Sequence, residues 1–324
     1  GWTMRARFAG ALALILAVAA VAFLPATRAD KPAPAAEAWF VDDDEMYDAF
    51  AEKLETLAAA GKCMPTADLV KAIAAEPTCQ IAPAKPNATK LDAEDVYAAA
   101  LPSVFLIGSV AKQKDKDGID EFVDGVLGTA WVLAADGVLV TNWHLFDGLK
   151  EREFFGAMNH EKRVFPVTAV LAANKAADIA VIRIDTKGLT PLPLAEKPPA
   201  VGAWVGVLGH PGDRYFTFTQ GHVARFTKTK DDAGTTSRWI AVTADYAAGS
   251  SGSPVLDRRG AVVGMAALTE SLESGVEPGP EPKADDKKPD EKKPEPAPAL
   301  GSLQQMVVKL AVPASAIRTA VGAK

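Results

Sequence analysis

Leu139-Val140-Thr141-Asn142-Trp143-His144 reads as a short apolar strand that ends on a histidine. The runs on either side have the same texture. Residues 104–110, 128–133 and 137–141 lead up to it, and residues 164–171 and 179–184 follow, each rich in Val, Ile, Leu and Ala and broken by Gly or Asp. Beyond a proline-rich stretch, residues 191–199, come further runs at 204–208, 215–226, 239–243, 261–267 and 306–312, and Pro313 then opens a C-terminal helix. Many short strands at close spacing, with no helical period between them, predict an all-β barrel or sandwich.

Two further stretches share that placement at a strand margin. Ala177-Asp178-Ile179-Ala180-Val181 sets an aspartate at the head of an apolar strand, and Gly249-Ser250-Ser251-Gly252-Ser253-Pro254 is a glycine-flanked serine in a tight turn before another strand. Each alone is bland: Gly-Ser-Ser-Gly is commonly loop, and an aspartate before a strand is commonly a turn residue. Together they form the set that acyl transfer needs. A serine hydroxyl is a poor nucleophile until a base takes its proton, an imidazole does this and later protonates the leaving group, and a carboxylate fixes the imidazole's tautomer. His144, Asp178 and Ser251 are therefore the candidate catalytic residues.

On these motifs, together with Gly128-Thr129-Ala130-Trp131 and Val207-Leu208-Gly209-His210-Pro211-Gly212, residues 93–270 and 304–322 resemble the trypsin-like serine peptidases of the high-temperature-requirement (Deg-type) group. The resemblance implies two six-stranded antiparallel β-barrels, about residues 93–190 and 201–322, with a cleft between them. His144 and Asp178 would then belong to the first barrel and Ser251 to the second. By position, the oxyanion donors would be the N–H groups of Gly249 and Ser251. The group's usual asparagine before the nucleophile is Ser250 here, and its second glycine after it is Ser253. No acidic residue stands at 250, so activation by a new N-terminus bonding there is not expected. Nor is a peptide-binding (PDZ) domain expected after the last helix.

The specificity pocket has two readings, and a glutamate preference is not expected, since no histidine stands on residues 261–267 to receive the acid. An ungapped comparison puts Asp245 where trypsins carry the acidic residue at the pocket base, which implies a Lys or Arg before the scissile bond. Alternatively Asp245 is a loop residue, and Met265, Ala266 and Ala267 line a pocket for small aliphatic side chains.

The chain has 324 residues and a formal net charge of −6. That balance argues against a nucleic-acid partner, which would need a basic footprint. The remaining histidines are scattered, so neither metal nor cofactor is expected. Protein or peptide substrates are the expected partners. A non-catalytic peptide- or partner-binding protein on the same fold is the rival function, and its mark would be a missing member of the Ser–His–Asp set. An esterase of the α/β-hydrolase kind would place its serine before its histidine, the reverse of the order here.

Outside the main domain, Met4, Arg5 and Arg7 lead into an apolar run at residues 8–24, followed by Pro25 and Thr27-Arg28-Ala29. Residues 4–29 thus read as a secretory signal peptide, with export to the periplasm or beyond, although the run is also long enough for an uncleaved anchor. Residues 30–92 read as a small helical segment and linker. One helix follows Asp42-Asp43-Asp44, with Met46, Phe50, Leu54 and Leu57 as its apolar stripe. A second, residues 67–75, is capped by Thr66 and stopped by Pro77. Cys63 and Cys79 flank it and are the two cysteines of the chain. In an exported protein they read as one disulfide, worth on the order of 3 kcal/mol, the alternative being a pair of inert buried thiols. Residues 271–302 are almost wholly Glu, Pro, Lys, Asp, Gly and Ala, and read as a disordered insertion inside the domain.

Overall fold

The structure, a computed structural model, describes residues 40–114, 116, 120–149, 153–230, 234–273 and 304–323. Two units separate, Gly1–Phe40 and Val41–Lys324. Only Phe40 of the first is described, so the expected signal peptide lies outside the described residues, as does the expected insertion from residue 274 to 303.

Within the second unit the chain runs through α1 (Asp43–Ala59), α2 (Thr66–Ala74), α3 (Ala93–Ala100), β1 (Val104–Lys114), β2 (Asp120–Ala134), β3 (Val138–Thr141), β4 (Glu153–Met158), β5 (Val164–Asn174) and β6 (Ile179–Ile184). It continues through β7 (Trp204–Gly209), β8 (Thr217–Lys230), β9 (Thr236–Val242), β10 (Pro254–Leu256), β11 (Val262–Glu273), β12 (Gln304–Pro313) and α4 (Ala314–Ala320). The first six strands form a closed barrel in the order β1-β2-β3-β6-β5-β4, with β1 pairing back onto β4. The other six form a second antiparallel sheet in the order β10-β11-β12-β9-β8-β7, and its end strands meet through Val255↔Val207 and Leu256↔Gly206. The fold is mostly β, with few helices among the described residues.

Burial explains the strand texture. Phe105, Ile107, Ala130, Val132, Leu139, Ala180 and Ile182 fill one cluster of the first barrel. Val205, Val207, Val255, Val262, Met265, Leu310 and Val312 belong to a larger cluster that continues from the second sheet into α1 and the first barrel. In a strand, alternate side chains take opposite faces, and sheets covered on both faces read as continuous apolar runs.

β4 was not expected from the sequence. Its core, Phe154-Phe155-Gly156-Ala157-Met158, follows the charged run Lys150-Glu151-Arg152-Glu153, which hides its start. Yet β4 closes the barrel, and Gly156 leaves the space that Leu54 of α1 occupies: a Cβ there would lie 2.7 Å from a Leu54 methyl. α1 buries Met46, Phe50, Leu54 and Ala58 in one stripe, and Asp42 caps it by accepting from the Glu45 N–H at 3.0 Å. α3 packs near β7, with Tyr97 5.7 Å from Phe218, so residues 93–100 lie against the second sheet.

Three expectations need correction. Thr66 is the first residue of α2 and not its cap; its hydroxyl donates to the Glu153 carbonyl, tying α2 to β4. β11 continues to Glu273, so residues 271–273 are strand, paired with β12. Cys63 and Cys79 form no disulfide; both are free thiols. α2 lies along β5 and separates them. The Met64 N–H donates to the Val167 carbonyl at one end, and the Pro77 carbonyl accepts from the Ala173 N–H at the other. Those anchor points are about 20 Å apart along the strand, whereas a disulfide needs Cα atoms within about 7 Å.

Candidate functional site

β3 is buried throughout, and the chain leaves it in a tight turn over residues 143–146. Trp143, Leu145 and Phe146 are buried, which holds the turn and leaves His144 partly exposed between them. Opposite, the β5–β6 turn is set by Asn174, whose Oδ1 accepts from the Ala177 N–H at 2.8 Å. Asp178 closes this turn at φ +55°, in the left-handed region that aspartate tolerates better than most residues. Both of its carboxylate oxygens face His144. Oδ1 accepts from the His144 N–H at 2.9 Å, and Oδ2 lies 2.8 Å from Nδ1. Asn142, fully buried, donates from Nδ2 to the Asp178 carbonyl at 3.0 Å.

An ionised carboxylate only accepts, so Nδ1 carries the imidazole proton and Nε2 keeps its lone pair. That lone pair faces Ser251 Oγ at 3.0 Å. The three sequence-selected residues are thus brought together, two from the first barrel and one from the turn before β10.

The serine turn is held from both sides. The Ser250 N–H donates to the Ala247 carbonyl, the Ser253 N–H to Ser250, and the Gly252 N–H to Ala266. From the first barrel, the Thr129 N–H donates to the Ser251 carbonyl at 2.7 Å and its hydroxyl to the Gly249 carbonyl at 3.0 Å. Gly252 sits at φ +90°, and a Cβ there would fall 1.9 Å from the Thr129 carbonyl, so only glycine fits. Gly249, at φ +88°, lies against the His210 carbonyl. Among the described residues the N–H groups of Gly249 and Ser251 donate to no backbone carbonyl. The arrangement leaves both for a third party, such as a developing oxyanion.

The serine at 253, where a glycine was expected, is accommodated by Gly209 opposite. A Cβ at Gly209 would fall 1.9 Å from Ser253 Oγ. His210, next to it, is buried, and burial pushes its pKa down to about 4, offset only in part by the Phe105 backbone. Neutral at ordinary pH, its Nδ1 accepts from the Phe216 N–H at 3.0 Å. The neighbouring Tyr215 N–H donates to Asp43 of α1 at 3.0 Å, and the Gly212 N–H to the Ala248 carbonyl at 2.7 Å. A continuous chain of contacts therefore runs from α1 to the serine turn.

The residues proposed for a specificity pocket divide. Asp245 is exposed and not a buried base, since the backbone turns its side chain outward while Thr219 Oγ1 donates to its carbonyl at 2.6 Å. Met265 and Ala266 are wholly buried behind the serine turn. Ala267 is half-buried, at an irregularity where the β11–β12 pairing steps between Ala266 and Leu268. The sequence reading missed Thr129 and His210 as supports, and it missed Lys309. The available signal for Lys309 was a lone charge inside Val307-Val308-Lys309-Leu310-Ala311-Val312. Among the described residues no cluster of His, Cys, Asp and Glu could hold a metal ion.

Residues 128–265 match the family model of the trypsin-like peptidase domain. The chain is similar to the serine protease Rv3671c of Mycobacterium tuberculosis, 30% identical over 189 residues, which cover 56% of this chain and 44% of that protein. It is also similar to the mitochondrial serine protease HTRA2 of Bos taurus, 33% identical over 144 residues, 43% of this chain and 30% of the relative. A probable periplasmic DegP-like serine endoprotease of Halomonas elongata is 25% identical over 140 residues, 43% of this chain and 28% of the relative. The chain spans less than half the length of each of these. Among solved structures, the inactive form of the Rv3671c protease superposes with a TM-score of 0.50 at 21% identity, covering 75% of this chain and 98% of that one, which shows a shared fold. Residues 128–265, then, are similar to a trypsin-like peptidase domain, and the relatives they align with are serine proteases.

Proposed function

We propose that the chain is a serine endopeptidase that works in the cleft between two β-barrels, with His144, Asp178 and Ser251 as its triad. The observation that carries this is the unbroken line from carboxylate to imidazole to hydroxyl, 2.8 Å and then 3.0 Å. Along that line His144 Nε2 takes the hydroxyl proton as Ser251 Oγ bonds to the scissile carbonyl carbon. The carbonyl oxygen becomes an oxyanion, received by the N–H groups of Gly249 and Ser251. The tetrahedral adduct collapses as His144 returns the proton to the leaving amine, and the C–N bond breaks. Water then repeats the cycle on the ester and frees Ser251.

The protein acts outside the cytoplasm in this reading. The basic start and apolar run of residues 4–24 support export, and a DegP-like relative is described as probably periplasmic.

A fluorophosphonate probe should label the chain once, and Ser251→Ala should abolish both labelling and peptide hydrolysis. Loss of a triad serine costs on the order of 10⁶ in kcat. A variant that keeps a tenth of the activity would remove Ser251 from the mechanism.

A further inference from the structure

Lys309 is a cation in the apolar run of residues 306–312, and it is only 9% exposed. Its ammonium donates to the Tyr246 carbonyl and lies 5.5 Å from the centre of the Tyr246 ring. Among the described residues no carboxylate lies within ion-pair distance of it. An ammonium has three donors, and a carbonyl with a ring face leaves this one without a counter-charge. A buried charge in that condition is costly unless something anionic completes its partners.

Its location says what that something is. Tyr246 belongs to the segment that runs directly into the Ser251 turn, through the Ser250-to-Ala247 hydrogen bond. Across the ladder Lys309 faces Thr269, two residues beyond Ala267. β10 pairs with β11 only as far as Met265, so from Ala267 to Thr269 that edge of β11 has no partner strand among the described residues. A peptide adding to this edge with its scissile carbonyl at Ser251 sends the side chain before that carbonyl between two walls. One wall is the Tyr246–Ala248 segment, the other is Ala267–Thr269, and Lys309 stands where they meet. Asp245, the acidic residue that a trypsin-like reading would use there, is turned to solvent.

Resting on the endopeptidase reading, we infer that Lys309 is the specificity-determining residue, and that the enzyme selects a glutamate or aspartate side chain immediately before the bond it cuts. The acid carboxylate supplies the counter-charge that the ammonium lacks, and Gln, its neutral isostere, leaves the charge uncompensated.

The test uses the full chain and matched peptides that carry Glu, Gln, Val or Arg before the scissile bond, with fluorophosphonate labelling in parallel to count active serines. The Glu peptide should exceed the Gln peptide in kcat/KM by roughly tenfold or more, the range of a charge-assisted hydrogen bond. Lys309→Met should bring the Glu-to-Gln ratio close to one, and Lys309→Arg should preserve it. A labelled enzyme that cleaves Val or Arg peptides as well as Glu overturns the inference and leaves the endopeptidase reading standing. So does a Glu-to-Gln ratio that survives in Lys309→Met. No labelling and no cleavage of any peptide would sink both. Should Lys309→Met fail to fold, the unmodified enzyme's ratio and that of Lys309→Arg still decide.

Discussion

His210 shows how one buried side chain ties stability to the active turn. Its Nδ1 holds the Phe216 N–H, its ring packs edge-on to Phe216 at 4.7 Å, and its carbonyl abuts Gly249. Burial holds its pKa near 4, against the ordinary 6.5 of a histidine. A base with a depressed folded pKa takes up its proton first in the unfolded chain. Its contribution is therefore complete above pH 6.5 and is lost as pH falls toward 4, amounting to about 3 kcal/mol across that window. His210→Gln can still accept from Phe216 but does not titrate. Urea unfolding at pH 7 and pH 4 should show the unmodified protein losing more stability than His210→Gln, by about 2–3 kcal/mol. Equal losses would mean that His210 is not held neutral in the fold.

At the scale of elements, α1 and α2 pack directly onto the first barrel. α1 lays its apolar stripe over β4 and β5, and α2 runs along β5 with a thiol near each end. Burial pushes the Cys63 thiol up to about 11 and raises that of Cys79 as well. Only the thiolate reacts, so both should resist a thiol reagent in the folded protein and both should react once it is unfolded in denaturant without reductant. An intact mass two hydrogens lighter, or no free thiols after unfolding, would restore the disulfide. The sequence supported the bridge only through compartment, count and closeness along the chain. Which end of α2 each cysteine occupies depends on how α2 lies along β5, which no local pattern encodes. The same limit applies elsewhere. The motifs around His144, Asp178 and Ser251 were legible because each residue's role is set by its own strand end or turn. β4 was hidden by the charges before it. Lys309 drew no reading, because its neighbours Tyr246 and Thr269 lie far away along the chain and meet it only in the folded sheet.

Over the whole molecule, the site exists only where the two sheets meet. The first barrel contributes imidazole and carboxylate, the second contributes the hydroxyl, and Thr129 joins them by two hydrogen bonds to the serine turn. What the proposed chemistry needs from the chain is then the two sheets together, with α1 behind the His210 loop. Residues 274–303 lie outside the described residues, and the strands on either side already meet through Glu273↔Gln304 at the end of the β11–β12 pairing. A short hairpin turn can therefore span the gap. Replacing residues 274–303 with a four-residue Asn/Gly turn shortens the loop and favours the fold by on the order of 2 kcal/mol at most. The melting temperature should hold or rise by a few degrees, and hydrolysis of an unselective casein substrate should stay within about twofold, the loop lying outside the proposed chemistry. A fall in melting temperature would show that residues 274–303 pack on the sheets. A loss of hydrolysis at unchanged melting temperature would instead make them part of how substrate reaches Ser251.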